Sequence, residues 1–211
     1  MSKPFLALLV ALTVGAAAAG VLLGKRYFAP SPPPTVTNGT FLSPAKALAP
    51  FDLTDDQGHP FGPAQLKGHW TFMFFGYTHC PDVCPNALSM LRSMVAQLHK
   101  TAGAMDHTRV VFVSVDPQRD TPKVLGQYVR YFNPDFLGVT GTPDALAGLT
   151  RQLGVVYKRE PGGGENYTID HSAGIMLMDP DGHYTAYFAP PQDARAMAAD
   201  FIKIRRYYEA R

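Results

Sequence analysis

An α/β sandwich built on a central mixed β-sheet is the fold class this sequence predicts, and three observations predict it. Strand-like and helix-like segments alternate from Phe51 onward, two strand-like runs flank the turn Asp179-Pro-Asp-Gly182, and a helical pattern closes the chain. With 211 residues and 46% hydrophobic content, the chain has room for one ordinary domain plus an appendage, and ample apolar material for its core. The formal charge of +2 comes from 19 basic and 17 acidic residues spread without a block of one sign, which argues against nucleic acid as a partner.

The appendage comes first. Residues 5–23 carry no charge and are bounded by Lys3 on one side and by Lys25 and Arg26 on the other. As a helix this stretch would be about 28 Å long, close to the roughly 30 Å hydrocarbon core of a bilayer. Residues 1–28 are therefore expected to form an N-terminal transmembrane anchor helix. The small residues Ala16, Ala17, Ala18 and Ala19 keep a signal sequence open as the rival reading, and either one exports the rest of the chain. Lys and Arg flank both ends, so charge leaves the orientation open. Residues 29–46, rich in Pro, Ser and Thr, read as an extended linker.

Residues 47–211 form the expected domain. Its first feature is a hairpin extension over residues 51–61, around the turn Asp55-Asp-Gln-Gly58. The aromatic run 70–76 reads as a buried strand. Leu88, Leu91, Val95 and Leu98 recur at helical spacing, and Pro85 suits a first helical turn, so residues 85–100 read as a helix. Strand 109–115, helix 122–131, strand 136–139, helix 143–153 and strand 155–159 come next. After the glycine-rich loop 161–165, a hairpin over 173–178 and 184–188 and a helix over 193–208 complete a thioredoxin-like arrangement.

Both cysteines of the chain, Cys80 and Cys84, lie in Phe75-Gly-Tyr-Thr-His-Cys-Pro-Asp-Val-Cys-Pro85, on the loop leaving the buried strand. Cys84 immediately precedes the proline expected to start the helix, whose exposed N–H groups favour a thiolate, so Cys84 is expected to ionise more readily than a free cysteine. A thiolate serves redox exchange and soft-metal binding alike. A structural disulfide is the bland alternative, but closing so short a loop would stabilise weakly. Among the seven histidines, His171 stands apart because it comes after the glycine-rich loop in Tyr167-Thr-Ile-Asp-His-Ser172, at the start of a strand the fold would set beside the cysteine loop. The others read as solvated or locally bonded groups. A peroxide-reducing enzyme of this fold usually has a threonine three residues before its reactive cysteine. Tyr77 and Pro81 occupy those positions here.

Three segments in order, Gly76-Tyr-Thr-His-Cys-Pro-Asp-Val-Cys-Pro85, Ser114-Val-Asp-Pro-Gln-Arg-Asp-Thr-Pro122 and Asp170-His-Ser172, resemble the signature segments of the Sco/SenC family of membrane-anchored copper proteins. The resemblance spans the domain from about Phe51 to the final helix. It implies that Cys80, Cys84 and His171 are copper ligands, for Cu(I) or Cu(II), and that Asp116 acts behind the site or in partner docking. The bland reading of Asp116 is a cap for its own turn. The resemblance further implies a metallochaperone rather than an enzyme. It would serve the binuclear copper A site of cytochrome c oxidase subunit II and be loaded by a periplasmic copper donor. The expected location is the bacterial inner membrane, with the soluble domain in the periplasm. The alternative is a membrane-anchored thiol-disulfide oxidoreductase that keeps the oxidase cysteines reduced, with Cys80 and Cys84 as the redox pair.

Overall fold

Each apolar run of the domain becomes an element with neighbours to bury it. A computed structural model describes residues 3–27, 32–160 and 167–210. Residues 1–2, the junction 28–31, residues 161–166 with the glycine-rich loop 161–165, and residue 211 lie outside these, as do the side chains of residues 3, 6–10, 26 and 27. Helix α1 (Lys3–Tyr27) is followed by strand β1 (Thr40–Lys46), the hairpin β2 (Leu53–Asp55) and β3 (Pro60–Phe61), and a short helix α2 (Pro63–Leu66). Strand β4 (Trp70–Gly76), helix α3 (Val83–Leu98), strand β5 (Thr108–Ser114), helix α4 (Pro122–Phe132), strand β6 (Leu137–Thr140) and helix α5 (Pro143–Leu153) build the centre. The chain ends with β7 (Tyr157–Arg159), β8 (Ile169–His171), β9 (Ile175–Met178), β10 (Tyr184–Phe188) and α6 (Ala194–Glu209).

Eight strands form one sheet in the order β1-β10-β9-β4-β5-β6-β2-β3. β4, β5 and β6 run parallel, while β9 pairs antiparallel with β4 and the hairpins close both sides, which is the expected mixed sheet. β4 is buried at all seven positions because both faces are covered. Strand alternation sends Trp70, Phe72 and Phe74 to the α3 and α6 side, and Met73 and Phe75 to the α5 side. Removing a side chain of this kind from water contributes about 1.5–3 kcal/mol.

Four features differ from the expectations. Thr40–Lys46, expected within the linker, pairs with β10 as an edge strand, a place where Pro44 is tolerated because one side of the strand needs no donor. Helix α3 starts at Val83 with Asp82 as its N-cap, which places Cys84 inside the first turn rather than before it. β7 and β8 form a two-stranded ribbon of their own, so β7 does not join the main sheet. Lastly, α1 is 25 residues long, yet among the described residues no helix is long and apolar enough to cross a membrane. The expected anchor therefore rests on sequence alone.

Candidate metal centre

The end of β4 delivers the first two groups. Beyond Gly76 the chain turns out of the sheet, with the Cys80 N–H donating to the Tyr77 carbonyl at 3.3 Å. Cys80 remains partly exposed, whereas Cys84 is fully buried under the start of α3. Asp82 makes no side-chain cap, and the Cys84 N–H, an otherwise unpaired donor of the first helical turn, points at Cys80 Sγ at 3.5 Å. The sulfur of Cys80 thus takes the place of a capping oxygen.

His171 supplies the third group, and it ends the short strand β8 rather than starting a strand as expected, because Ile169–His171 pairs with β7 before β9 begins at Ile175. Its Nε2 lies 3.3 Å from Cys84 Sγ, and the three candidate ligand atoms of Cys80, Cys84 and His171 all lie within 4.8 Å of one another. Its Nδ1 lies 3.2 Å from the Ser172 carbonyl oxygen, a contact that orients the ring with Nε2 towards the sulfurs. Phe74 and Tyr77 pack edge-on against the imidazole at centroid distances of 6.1 and 6.0 Å and fix its plane.

The Cys84 thiol donates to Cys80 and holds the Cys80 pKa down to about 4 against the cost of burial, with help from the backbone N–H groups of Asp82 and Cys84 and from His171. Cys84 is pushed upward by that same bond to Cys80 and by its burial. The expectation for Cys84 is thereby reversed. The helix terminus does stabilise a thiolate, but the sulfur that receives its N–H groups belongs to the cysteine outside the helix.

Asp116 sits apart from this cluster and is 3% exposed. Arg119 Nε donates to its Oδ2 at 2.5 Å, and the Tyr167 hydroxyl donates to its Oδ1 at 2.6 Å. Both oxygens are therefore engaged inside the fold, by Arg119 and Tyr167. The Asp116 backbone carbonyl also accepts from the N–H groups of Arg119 and Asp120, so the chain does turn here, with the side chain bonded to Arg119 and Tyr167 rather than to the turn's own N–H groups. Nearby, Asp120 is fully buried and accepts from the Thr78 N–H at 2.9 Å, the Thr78 hydroxyl at 2.6 Å and the Ser114 hydroxyl at 2.5 Å. It braces the loop that carries Cys80.

The family model described as SCO1/SenC matches residues 41–206. The chain belongs to the SCO1/SenC family. It is 34% identical over 206 residues to the mitochondrial SCO2 homologue of Bos taurus, covering 96% of this chain and 75% of that one. Among solved structures it is similar to copper-bound Bradyrhizobium japonicum ScoI, at 39% identity with TM-score 0.66, covering 76% of this chain and 99% of that one. Copper-bound Arabidopsis thaliana ScoI is similar at 32% identity with TM-score 0.70, covering 75% and 98%.

Within this SCO1/SenC fold, several residues that shape the site carry no obvious signal in the sequence. Arg119 and Asp120 stand inside the recognised segment between Ser114 and Pro122, but neither their burial nor their partners can be read from it. Tyr167 opens the segment that ends in His171, and an aromatic before a candidate ligand was the one available hint. Burial and the bond to Asp116 push the Tyr167 phenol upward, so it stays a donor. A second close group, Asp179, Asp181 and His183, lies in the β9–β10 turn. There Asp179 Oδ1 accepts the N–H groups of Asp181 and His183 and serves the turn itself.

Proposed function

We propose that this protein carries copper between Cys80, Cys84 and His171 and hands it to a client during cytochrome c oxidase assembly, the client site being the binuclear copper A site of subunit II. The observation that carries the reading is the approach of His171 Nε2 to Cys84 Sγ at 3.3 Å, with Cys80 Sγ in the same group. Two sulfurs and one imidazole suit Cu(I) in a low-coordinate site, and Cu(II) can be held with an added oxygen or nitrogen donor. A structural zinc site is normally closed by a fourth protein ligand. Among the described residues no fourth His, Cys, Asp or Glu joins the group. Partial exposure of Cys80 and His171 leaves an approach for a client's thiolates, so transfer can proceed by ligand exchange. Copper-bound relatives in the family support the same metal.

In this reading residues 1–28 attach the domain to the bacterial inner membrane with the domain in the periplasm. Confinement to one surface raises the effective concentration of the carrier and the membrane-bound client. A periplasmic copper donor supplies the metal.

X-ray absorption and metal analysis of the reduced protein test the site. One copper with two sulfur neighbours and one nitrogen is expected, and copper retention falls in each of Cys80→Ser, Cys84→Ser and His171→Ala. Full retention by His171→Ala would show that the ligand set is wrong. The acidity of Cys80 also favours the second reading, thiol-disulfide exchange with the client's cysteines. Loss of copper with intact disulfide exchange in His171→Ala separates the two. Oxidation to the Cys80–Cys84 disulfide consumes both thiolates, so the oxidised protein is expected to take up no Cu(I) in titration.

A further inference from the structure

The β7–β8 ribbon pairs with no strand of the main sheet among the described residues, so side chains must set its position and with it the position of His171. At the His171 end, the Ser172 N–H donates to the Val156 carbonyl at 2.9 Å and the Val156 N–H donates to Ser172 Oγ at 3.0 Å. These bonds tie the ribbon to itself. Ile169 is buried in the core and His171 packs on Phe74 and Tyr77, and at the other end Tyr167 adds the polar connection to the core. Its ring lies between two guanidinium groups, with Arg119 Cζ 3.6 Å and Arg159 Cζ 3.5 Å from the centroid. Its hydroxyl donates to buried Asp116 at 2.6 Å, and its carbonyl accepts from Arg119 Nη1 at 3.0 Å. Asp116 and Arg119 belong to the loop leaving β5, and β5 is the parallel neighbour of β4, whose end carries the cysteine loop. One short path of rigid parts therefore joins the sulfurs to the imidazole.

We propose, resting on the reading of Cys80, Cys84 and His171 as the metal site, that Tyr167 is its positioning residue. Held between Arg119 and Arg159 with its hydroxyl on Asp116, it fixes β8 so that His171 Nε2 stands beside Cys84 Sγ before a metal arrives. Its reach is indirect, through the strand rather than by contact with the ligands. Arg159 adds a second constraint, since its Nη1 also donates to Gln118 Oε1 at 3.3 Å and so binds the ribbon to the same β5 loop.

Two substitutions in the full chain test this. Tyr167→Leu removes ring and hydroxyl together, whereas Tyr167→Phe removes the hydroxyl and keeps the stacked ring. In the metal-free protein, amide hydrogen exchange at Glu160, whose N–H donates to the Thr168 carbonyl at 3.0 Å, and at Ser172 is expected to rise on the order of tenfold in Tyr167→Leu. Amides of β4 and β5 keep their protection, and Tyr167→Phe falls between. Loaded with Cu(II), Tyr167→Leu is expected to lose nitrogen hyperfine structure in its paramagnetic resonance spectrum. Its Cu(I) affinity falls about tenfold, as for other residues that orient a ligand. Tyr167→Phe recovers most of both. Unchanged ribbon exchange, an unchanged copper spectrum, or a rise in exchange spread over β4 and β5 would each overturn the proposal. His171→Ala keeps the two ideas apart. A wild-type copper spectrum in that variant sinks the ligand reading itself, while loss of nitrogen there with a normal spectrum in Tyr167→Leu sinks only the role of Tyr167.

Discussion

At Gly76 the backbone of β4 passes so close to α3 and β5 that an added Cβ would overlap Cys84 Sγ and lie 2.9 Å from the Phe112 ring. The sulfur is wholly buried and Phe112 is fixed by its own strand, so neither can retreat without moving an element. Gly76→Ala is therefore an overpacking change, expected to destabilise by about 1–3 kcal/mol. It should also displace Cys84 Sγ from His171 Nε2. Thermal melting together with copper stoichiometry of the reduced protein checks this, and a variant with wild-type melting and full copper would show that the sulfur has room. The same residue illustrates what can be read in advance. The two cysteines were legible as a pair because their residue type and spacing announce chemistry, and His171 joined them through the resemblance. Gly76, which makes space for one of the sulfurs, was legible only as part of a resemblance. Which sulfur is acidic was not legible at all, because it depends on a helix starting at Val83 rather than at Pro85.

Among the elements, α6 has a task beyond covering the sheet. Asp200, fully buried on its inner face, accepts the Thr37 N–H at 2.8 Å, the Asn38 N–H at 2.6 Å and the Thr37 hydroxyl at 3.1 Å, and pairs with Lys203 Nζ at 3.3 Å. Burial pushes its carboxyl upward, but the N–H groups of Asn38 and Thr37 with Lys203 outweigh it and hold the pKa below the ordinary 3.8. A carboxylate depressed in the folded state stabilises that state above its unfolded value, and the contribution is lost as pH falls through the folded value. Stability should therefore decline with acid below about pH 4 in the wild type and more weakly in Asp200→Asn, as thermal melts across that range would show. At neutral pH, Asp200→Ala leaves two backbone donors unpaired, at a cost of about 3 kcal/mol. An equal acid slope in both proteins would remove Asp200 from this role. β4, read from its aromatic run, and α5, read as a helix, could be placed from sequence to the residue, since both are bounded by clear punctuation. β1 and β8 could not, because a short edge strand containing Pro44 and a three-residue ribbon strand have no period of their own. Both owe their conformation to partners distant in sequence.

For the whole molecule, the main sheet divides the core in two, and the site lies at the sheet end where both halves meet. Cys80 packs against the α3–α6 side and the α5 side alike. A candidate ligand anchored to both halves cannot move without disturbing one of them. The outer boundary of this arrangement differs from the one composition suggests. A domain cut at residue 47 would lose β1, leave the outer side of β10 unpaired, and remove Phe41 from its edge-on contact with Tyr207 at 5.4 Å. It would also strip Asp200 of the Thr37 and Asn38 donors. An unpaired edge invites pairing between copies. Two truncated proteins, one beginning at residue 33 and one at residue 47, should thus behave differently. The longer is expected to melt cooperatively as a monomer. The shorter should melt lower by several degrees, because 1 kcal/mol shifts the midpoint of a domain this size by about 2–4 °C, and should self-associate in size-exclusion chromatography. Equal melting and a monomeric profile for both would mean that β1 rests on the sheet without contributing to it, and that the tether does extend to Lys46.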